Sequence, residues 1–259
     1  MSRVAKIKHF ATEAEMCARF IAALPEGWTA YAETQGWDIL VVRNCDGFQI
    51  GIQAKLKLNA EVFAQALEDG GYWHEERAGP DCRAVMVPYG DRGSFGKIAD
   101  YCGITILSVN RPEKYREAFD PALPTMERRW SHEDWHELAP ATRHKLPAYV
   151  PDVAAGSPSP IQLTDWKIGA LRIVATLELR GFVKRADFKH LKIDRRRWVS
   201  ARWITNNDGR DGDHYTAGGM PNFKEQHPRV YAEIVADAAA WMLPIPAEKS
   251  KAEQEALFA

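Results

Sequence analysis

The stretch GFQIGIQAKLKLN, residues 47–59, decides how this chain is read. Its apolar residues recur with period two, as in a β-strand with one buried face. Gln53 and Lys55 interrupt that pattern with an amide and an ammonium two residues apart. Just upstream, GWDILVVR (36–43) reads as a second strand, and NCDG (44–47) carries the Asp-Gly hairpin signal. Two antiparallel registers are available. With a loop of Asn44–Gly47, Arg43 faces Phe48 and Asp38 faces Gln53; with a loop of Asp46-Gly47 alone, Asp38 faces Lys55. Cross-strand partners share a face, so both registers predict Asp38, Gln53 and Lys55 on one side. The other side carries Ile39, Val41, Ile50, Ile52 and Ala54, which is core material. Burying an unpaired charge is expensive, so the three polar groups must serve one another or a ligand. An Asp38–Lys55 salt bridge with Gln53 as a hydrogen-bonding neighbour is the simplest such arrangement.

The elements around the hairpin point further. TEAEMCARFIAAL reads as an amphipathic helix with Thr12 as N-cap and Glu15 in the capping-box position. WTAYAE precedes the hairpin as a strand. NAEVFAQALEDGG is a helix capped by Asn59. DCRAVMVPYG, SFGKIADYCG and ITILSV then read as strand, helix and strand. A hairpin followed by β-α-β crossovers implies a mixed sheet flanked by helices, an α/β fold.

Motif and element order together resemble the PD-(D/E)xK nuclease superfamily, with its restriction-endonuclease-like fold. The family's acidic residue falls on Asp38, and its (D/E)xK falls on Gln53-Ala54-Lys55. Glutamine replaces the usual acid, a variant similar to the QAK of Mrr-like restriction endonucleases. The likeness covers roughly residues 8–110. It implies metal-dependent endonuclease chemistry on DNA with Mg²⁺ or Mn²⁺. Asp38 would be the principal metal ligand, Gln53 a weaker neutral one and the Ala54 carbonyl a third. Lys55 would orient water or stabilise charge on the phosphate. With no acid at 53, another carboxylate becomes useful. Glu33, at the end of the preceding strand, is the first candidate and Glu15 the second, although capping already explains Glu15. Lys57 lies on the Gln53/Lys55 face, within reach of a backbone phosphate. The rival reading is a catalytically inactive nuclease scaffold that binds DNA or regulates, with Gln53 as the sign of a lost acid.

Composition is that of an ordinary globular chain: of 259 residues, 46% are hydrophobic and 27% charged. No apolar run resembles a signal peptide or membrane span, so a cytoplasmic protein with no membrane partner is expected. The four cysteines form no CxxC pair and read as free thiols. The net charge of −1 hides a basic block: residues 161–229 hold 14 Lys+Arg against 8 Asp+Glu. That block favours a polyanion partner.

The expected domains are a nuclease-like domain at 1–120, a proline-rich linker with a short helix at 121–160, a basic domain at 161–246 and a tail at 247–259. In the third, two short helices, a basic third helix beginning after Asp194, and a Gly/Asp-rich loop resemble a winged helix-turn-helix in pattern. Lys189, Arg195, Arg196, Arg197 and Arg202 would meet DNA phosphates there. Trp198 and Trp203 read as core. EQHPRVYAEIVADAAAWML reads as one long helix with Pro228 in its first turn. Cutting both strands would favour a homodimer. HEDWH (132–136) spells a zinc motif, but Pro140 follows soon and His144 falls at the wrong spacing for a third ligand, so we read it as a chance match. NNDGRDGD (206–213) lacks the spacing and terminal Glu of a calcium loop and reads as a hairpin tip.

Overall fold

Asn44–Gly47 close the hairpin, and the chemistry of that turn sets the register of the sheet. Arg43 N–H donates to the Phe48 carbonyl at 2.8 Å, and Gly47 takes the left-handed φ of 70° that lets the chain reverse. Asp46 accepts from the Arg43 guanidinium at 2.7 and 2.9 Å and from the Phe48 N–H at 3.2 Å. These facts come from a computed structural model, which describes residues 10–68, 78–90, 94–110, 117–126, 134–138, 140–157, 161–207 and 213–244. Ile39 pairs with Ile52 and Val41 with Ile50, the longer-loop register of the two expected.

The chain divides into two units, Met1–Leu163 and Thr164–Ala259. The first has the element order α1 (Glu13–Ala22), β1 (Trp28–Thr34), β2 (Trp37–Arg43), β3 (Gln49–Ala54), α2 (Ala60–Leu67), β4 (Cys82–Pro88), α3 (Phe95–Cys102), β5 (Ile104–Val109) and β6 (Phe119–Asp120). The strands form one six-stranded sheet in that order. β1, β2 and β3 are antiparallel, β3, β4 and β5 parallel, and β6 closes the edge antiparallel to β5. The expected mixed sheet with helices is therefore present, with β6 as an unforeseen edge strand.

Caps behave as their residue types require. Thr12 Oγ1 accepts the Glu15 N–H at 3.1 Å, and Asn59 Oδ1 accepts the Val62 N–H at 3.0 Å. Met16, Cys17 and Phe20 of α1 pack on Ile39, Val41, Ile50, Ile52 and Ala54. Val62, Phe63 and Ala66 of α2 and Ala99 of α3 pack with Leu40, Val42, Val85 and Ile106. Helices thus cover both faces of the sheet, and every residue of β3 is buried. Gln49 and Gln53, on the α2/α3 side by alternation, are buried with the rest.

Residues 121–160 differ from the expected linker: they fall within the first unit. Among the described residues of this stretch, prolines disfavour helix and ladder, which is why its sequence resembles a free connector. Side chains anchor it instead. Leu123 and Trp135 enter the α1-side core. Arg143 makes a two-pronged ion pair with buried Asp81 at 2.7 and 3.0 Å. Gln49 and the His144 backbone exchange two hydrogen bonds of 2.9 Å. His144 Nε2 accepts from the Trp37 indole at 3.2 Å. The part of the expected short helix at 134–138 is not helical, and residues 127–133 lie outside the described residues.

The second unit centres on α4 (Asp165–Arg180), buried from Ile168 to Leu177 except at Arg172 and stopped by Gly181 at φ 85°. α5 (Arg185–His190) and α6 (Arg195–Ser200) follow, then the hairpin β7 (Ile204–Asn206) and β8 (Tyr215–Ala217). Between α4 and α5, Val183 makes an antiparallel bridge to Tyr215 of β8. Trp198 forms edge-on contacts with Phe188 at 5.8 Å and Trp203 at 5.4 Å; Trp198 is fully buried, as expected, whereas Trp203 is only partly buried. Arg180 and Asp187 form a buried ion pair, and Asp187 also accepts the Lys184 N–H at 2.7 Å. The expected long C-terminal helix is broken into α7 (Phe223–Gln226), α8 (Pro228–Ala236) and α9 (Ala238–Trp241). Pro228 forces His227 out of the helical region, to φ −146° and ψ 68°.

Candidate active site

The β2–β3 ladder ends at Ile39–Ile52. One position further, on the edge of β3 that faces β2, the Ala54 N–H donates to Asp38 Oδ2 at 2.7 Å. The carboxylate thus replaces a ladder bond and is pinned at the carboxyl end of β3. Burial pushes the Asp38 carboxyl above the usual range, while the Ala54 N–H and the Lys55 charge pull it back. Lys55 Nζ lies 3.8 Å from Glu13 Oε2 of α1, with both side chains only about a third exposed. The thiol of Cys17 is raised first by burial and then by Asp38, Glu13 and Glu33. Asp38, Lys55, Glu13 and Glu33 therefore lie around the first turns of α1.

Glu33 reaches this cluster through an irregular backbone. It sits in β1 with φ of 50°, and Gln35 and Gly36 follow at 56° and 83°. A non-glycine residue in that region costs on the order of 1 kcal/mol and persists only where its surroundings enforce it. Glu33 Oε1 accepts the N–H groups of Gly156 at 2.8 Å and Ser157 at 3.4 Å. Burial and the neighbouring Asp38 raise the Glu33 carboxyl, against the pull of those two donors. The second oxygens of Asp38 and Glu33 have no hydrogen-bond partner among the described residues.

Gln53 stands apart from this group. Strand alternation places it with Gln49 and Gly51 in the layer of Trp37, and its Nε2 donates to the Gly36 carbonyl at 2.9 Å. The expected convergence of three polar residues on one face is therefore corrected. β3 ends at Ala54, so Lys55 is free of the alternation and turns to α1, whereas Gln53 remains bound by it. Glu15 is exposed and accepts the Ala11 N–H at 2.7 Å, a capping role. Glu13 is the acid on α1 that meets Lys55. Its signal is in the sequence: Glu13, Cys17 and Phe20 follow the helical i, i+4, i+7 spacing that defines the buried stripe, and Glu15 lies off it.

The cluster fits a hard divalent cation of one particular kind. Among the described residues no three His, Cys, Asp or Glu side chains form a metal cage. Mg²⁺ rarely needs one, because it binds through one or two carboxylates plus waters and phosphate oxygens. Two half-buried carboxylates, each with an uncommitted oxygen and each raised by burial, Glu33 also by Asp38 and Asp38 also by Glu13, meet that description.

Lys57 is exposed beyond the end of β3. In the second unit Lys189, Arg196, Arg197 and Arg202 are exposed. The Arg197 guanidinium lies 5.6 Å from the Trp166 ring. Arg195 is half-buried: its Nη1 donates to the Tyr215 hydroxyl at 3.0 Å and its guanidinium covers that ring at 5.3 Å. The hairpin tip at 208–212 lies outside the described residues. Among the described residues no helix is long and apolar enough to cross a membrane. No protein-family model, curated protein or solved structure matches the chain.

Proposed function

We propose that the first unit is a divalent-metal-dependent endonuclease of restriction-endonuclease-like fold that hydrolyses DNA phosphodiester bonds, and that the second is a winged-helix-like DNA-binding unit. The observation that carries the reading is the joining of Asp38, pinned to Ala54, with Lys55 and Glu33 at the carboxyl end of a buried strand. Asp38 and Glu33 would hold Mg²⁺ or Mn²⁺, with the Ala54 carbonyl as a neutral ligand. The ion would polarise the scissile phosphate and make a coordinated water more acidic. Lys55 holds a positive charge where negative charge grows on the phosphate oxygens, and Glu13 fixes its direction. Half-burial of the carboxylates excludes bulk water and strengthens each of these interactions.

For the second unit, the order α4–Val183–α5–α6–β7–β8, with Val183 bridged to β8, supports the winged-helix comparison. Exposed Arg196, Arg197 and Arg202 supply cations for the phosphate backbone.

One observation favours a second reading, a scaffold that binds DNA without cutting it: Gln53 gives its amide to Gly36 and presents no acid. A single experiment separates the two. Purified protein is incubated with plasmid DNA and Mg²⁺ or Mn²⁺ beside Asp38→Ala and Lys55→Ala. The hydrolase reading expects metal-dependent nicking that falls at least about 100-fold in both variants. Equal cleavage by all three proteins removes it. DNA binding without any metal-dependent cleavage establishes the scaffold.

A further inference from the structure

The acid missing at position 53 raises the question of what holds its substitute in place. Glu33 is not carried by regular strand geometry, since it is a left-handed residue at the end of β1. Its carboxylate is fixed from 123 residues away, by two successive backbone N–H groups, those of Gly156 and Ser157. Consecutive amides converging on one anionic oxygen are a recurrent way of holding a charge with no side chain.

The segment that supplies them is itself anchored. Ala155 is 3% exposed in the α1-side core, and Val153 packs against that core. Gly156 lies at φ 69° directly on the first turn of α1. A β-carbon there would come within 3.1 Å of Cys17 Sγ, 3.2 Å of the Glu13 carbonyl carbon and 3.3 Å of Ala14 N. Two of these three are backbone atoms and cannot give way cheaply. The same glycine therefore touches the turn that presents Glu13 to Lys55 and donates to Glu33.

We propose that the Gly156–Ser157 peptide pair is a positioning element of the metal site, holding the Glu33 carboxylate beside Asp38 so that it supplies the anionic oxygen Gln53 lacks. This rests on the hydrolase reading above. The pair acts through Glu33 and does not touch the reacting atoms. A merely structural strap would share the same hydrogen bonds but would leave metal affinity alone.

The test is a double-mutant cycle on the full chain, comparing wild type, Gly156→Ala, Glu33→Gln and the double variant. Two quantities are read: the rise in melting temperature caused by Mn²⁺, and the Mn²⁺ concentration giving half-maximal cleavage of plasmid DNA. Outer contacts of metal ligands change metal affinity by about 10–100-fold, so each single variant is expected to raise the half-maximal Mn²⁺ concentration about tenfold or more. The double variant is expected to match Glu33→Gln alone. Additive losses in the double variant overturn the proposal. So does a Gly156→Ala protein that cleaves more slowly at saturating Mn²⁺ with an unchanged half-maximal concentration. If Gly156→Ala fails to fold, Ser157→Pro, which deletes one of the two donors, enters the same cycle. A wild type showing neither Mn²⁺ stabilisation nor cleavage defeats the hydrolase reading and this one together. A wild type showing both, beside a Gly156→Ala protein that titrates like it, defeats this one alone.

Discussion

Gly51→Ala is the sharpest single test of how the site is built. A β-carbon at Gly51 would lie 2.4, 2.5 and 2.7 Å from Cε2, Cδ2 and Cζ2 of Trp37. Carbon atoms rest at about 3.5–4.0 Å, so the indole must withdraw by about 1 Å. It has little room to do so. Trp37 is 2% exposed, and its N–H is committed to His144, whose backbone is locked to Gln49. Overpacking of this kind costs about 1–3 kcal/mol, and stretching the indole bond adds about 1 kcal/mol. Restricting the unfolded chain returns about 0.5–1 kcal/mol. The expected net loss is about 1–3 kcal/mol in urea unfolding followed by tryptophan fluorescence. Trp37 immediately precedes Asp38, so the displacement is transmitted to the carboxylate. On the hydrolase reading, a misplacement of about 1 Å should cost roughly 100-fold in turnover in a cleavage assay. A Gly51→Ala protein within 0.5 kcal/mol of wild type would refute the seating of the indole on β3, as would a more stable one.

Three further outcomes are expected. Asp38→Asn should match or exceed the metal-free wild type in melting temperature near pH 8: a buried acid with a raised pKa binds more protons folded than unfolded, so its ionisation costs stability as pH rises. The advantage should vanish on acidification, and a large loss at high pH would contradict it. Arg180→Ala strands the buried Asp187 carboxylate and should destabilise the second unit by about 3–5 kcal/mol in calorimetry. Arg196→Ala or Arg202→Ala should weaken DNA binding on all sequences alike and reduce the slope of log K against log salt by about 1 each, without a change in melting temperature.

The hairpin and its apolar face were legible, though not which of the two registers of equal period it takes, because the Asp-Gly turn and the apolar alternation agree on them. So were the caps, since Thr12 and Asn59 each do locally what their side chains allow. The approach of Glu33 to Asp38 was not, because it involves a left-handed backbone at Glu33 and Gln35, residue types that carry no such signal. Gln53 was misplaced for the related reason that a strand covered on both faces gives its polar residues no open side to share. The anchoring of residues 140–157 was hidden by their prolines. It depends on partners 62 and 123 residues away, Arg143 with Asp81 and Gly156 with Glu33.

β1 is an outer strand of the sheet, seven residues long, and its far edge is a template on which another chain could pair. The left-handed turn of Glu33, one residue before that strand ends, swings its amide and carbonyl out of the line a second strand would need. The same backbone twist that brings a carboxylate to Asp38 thereby shortens the stretch open to edge-to-edge aggregation. Straightening it would both draw Glu33 away from Asp38 and lengthen the edge on which another strand could pair.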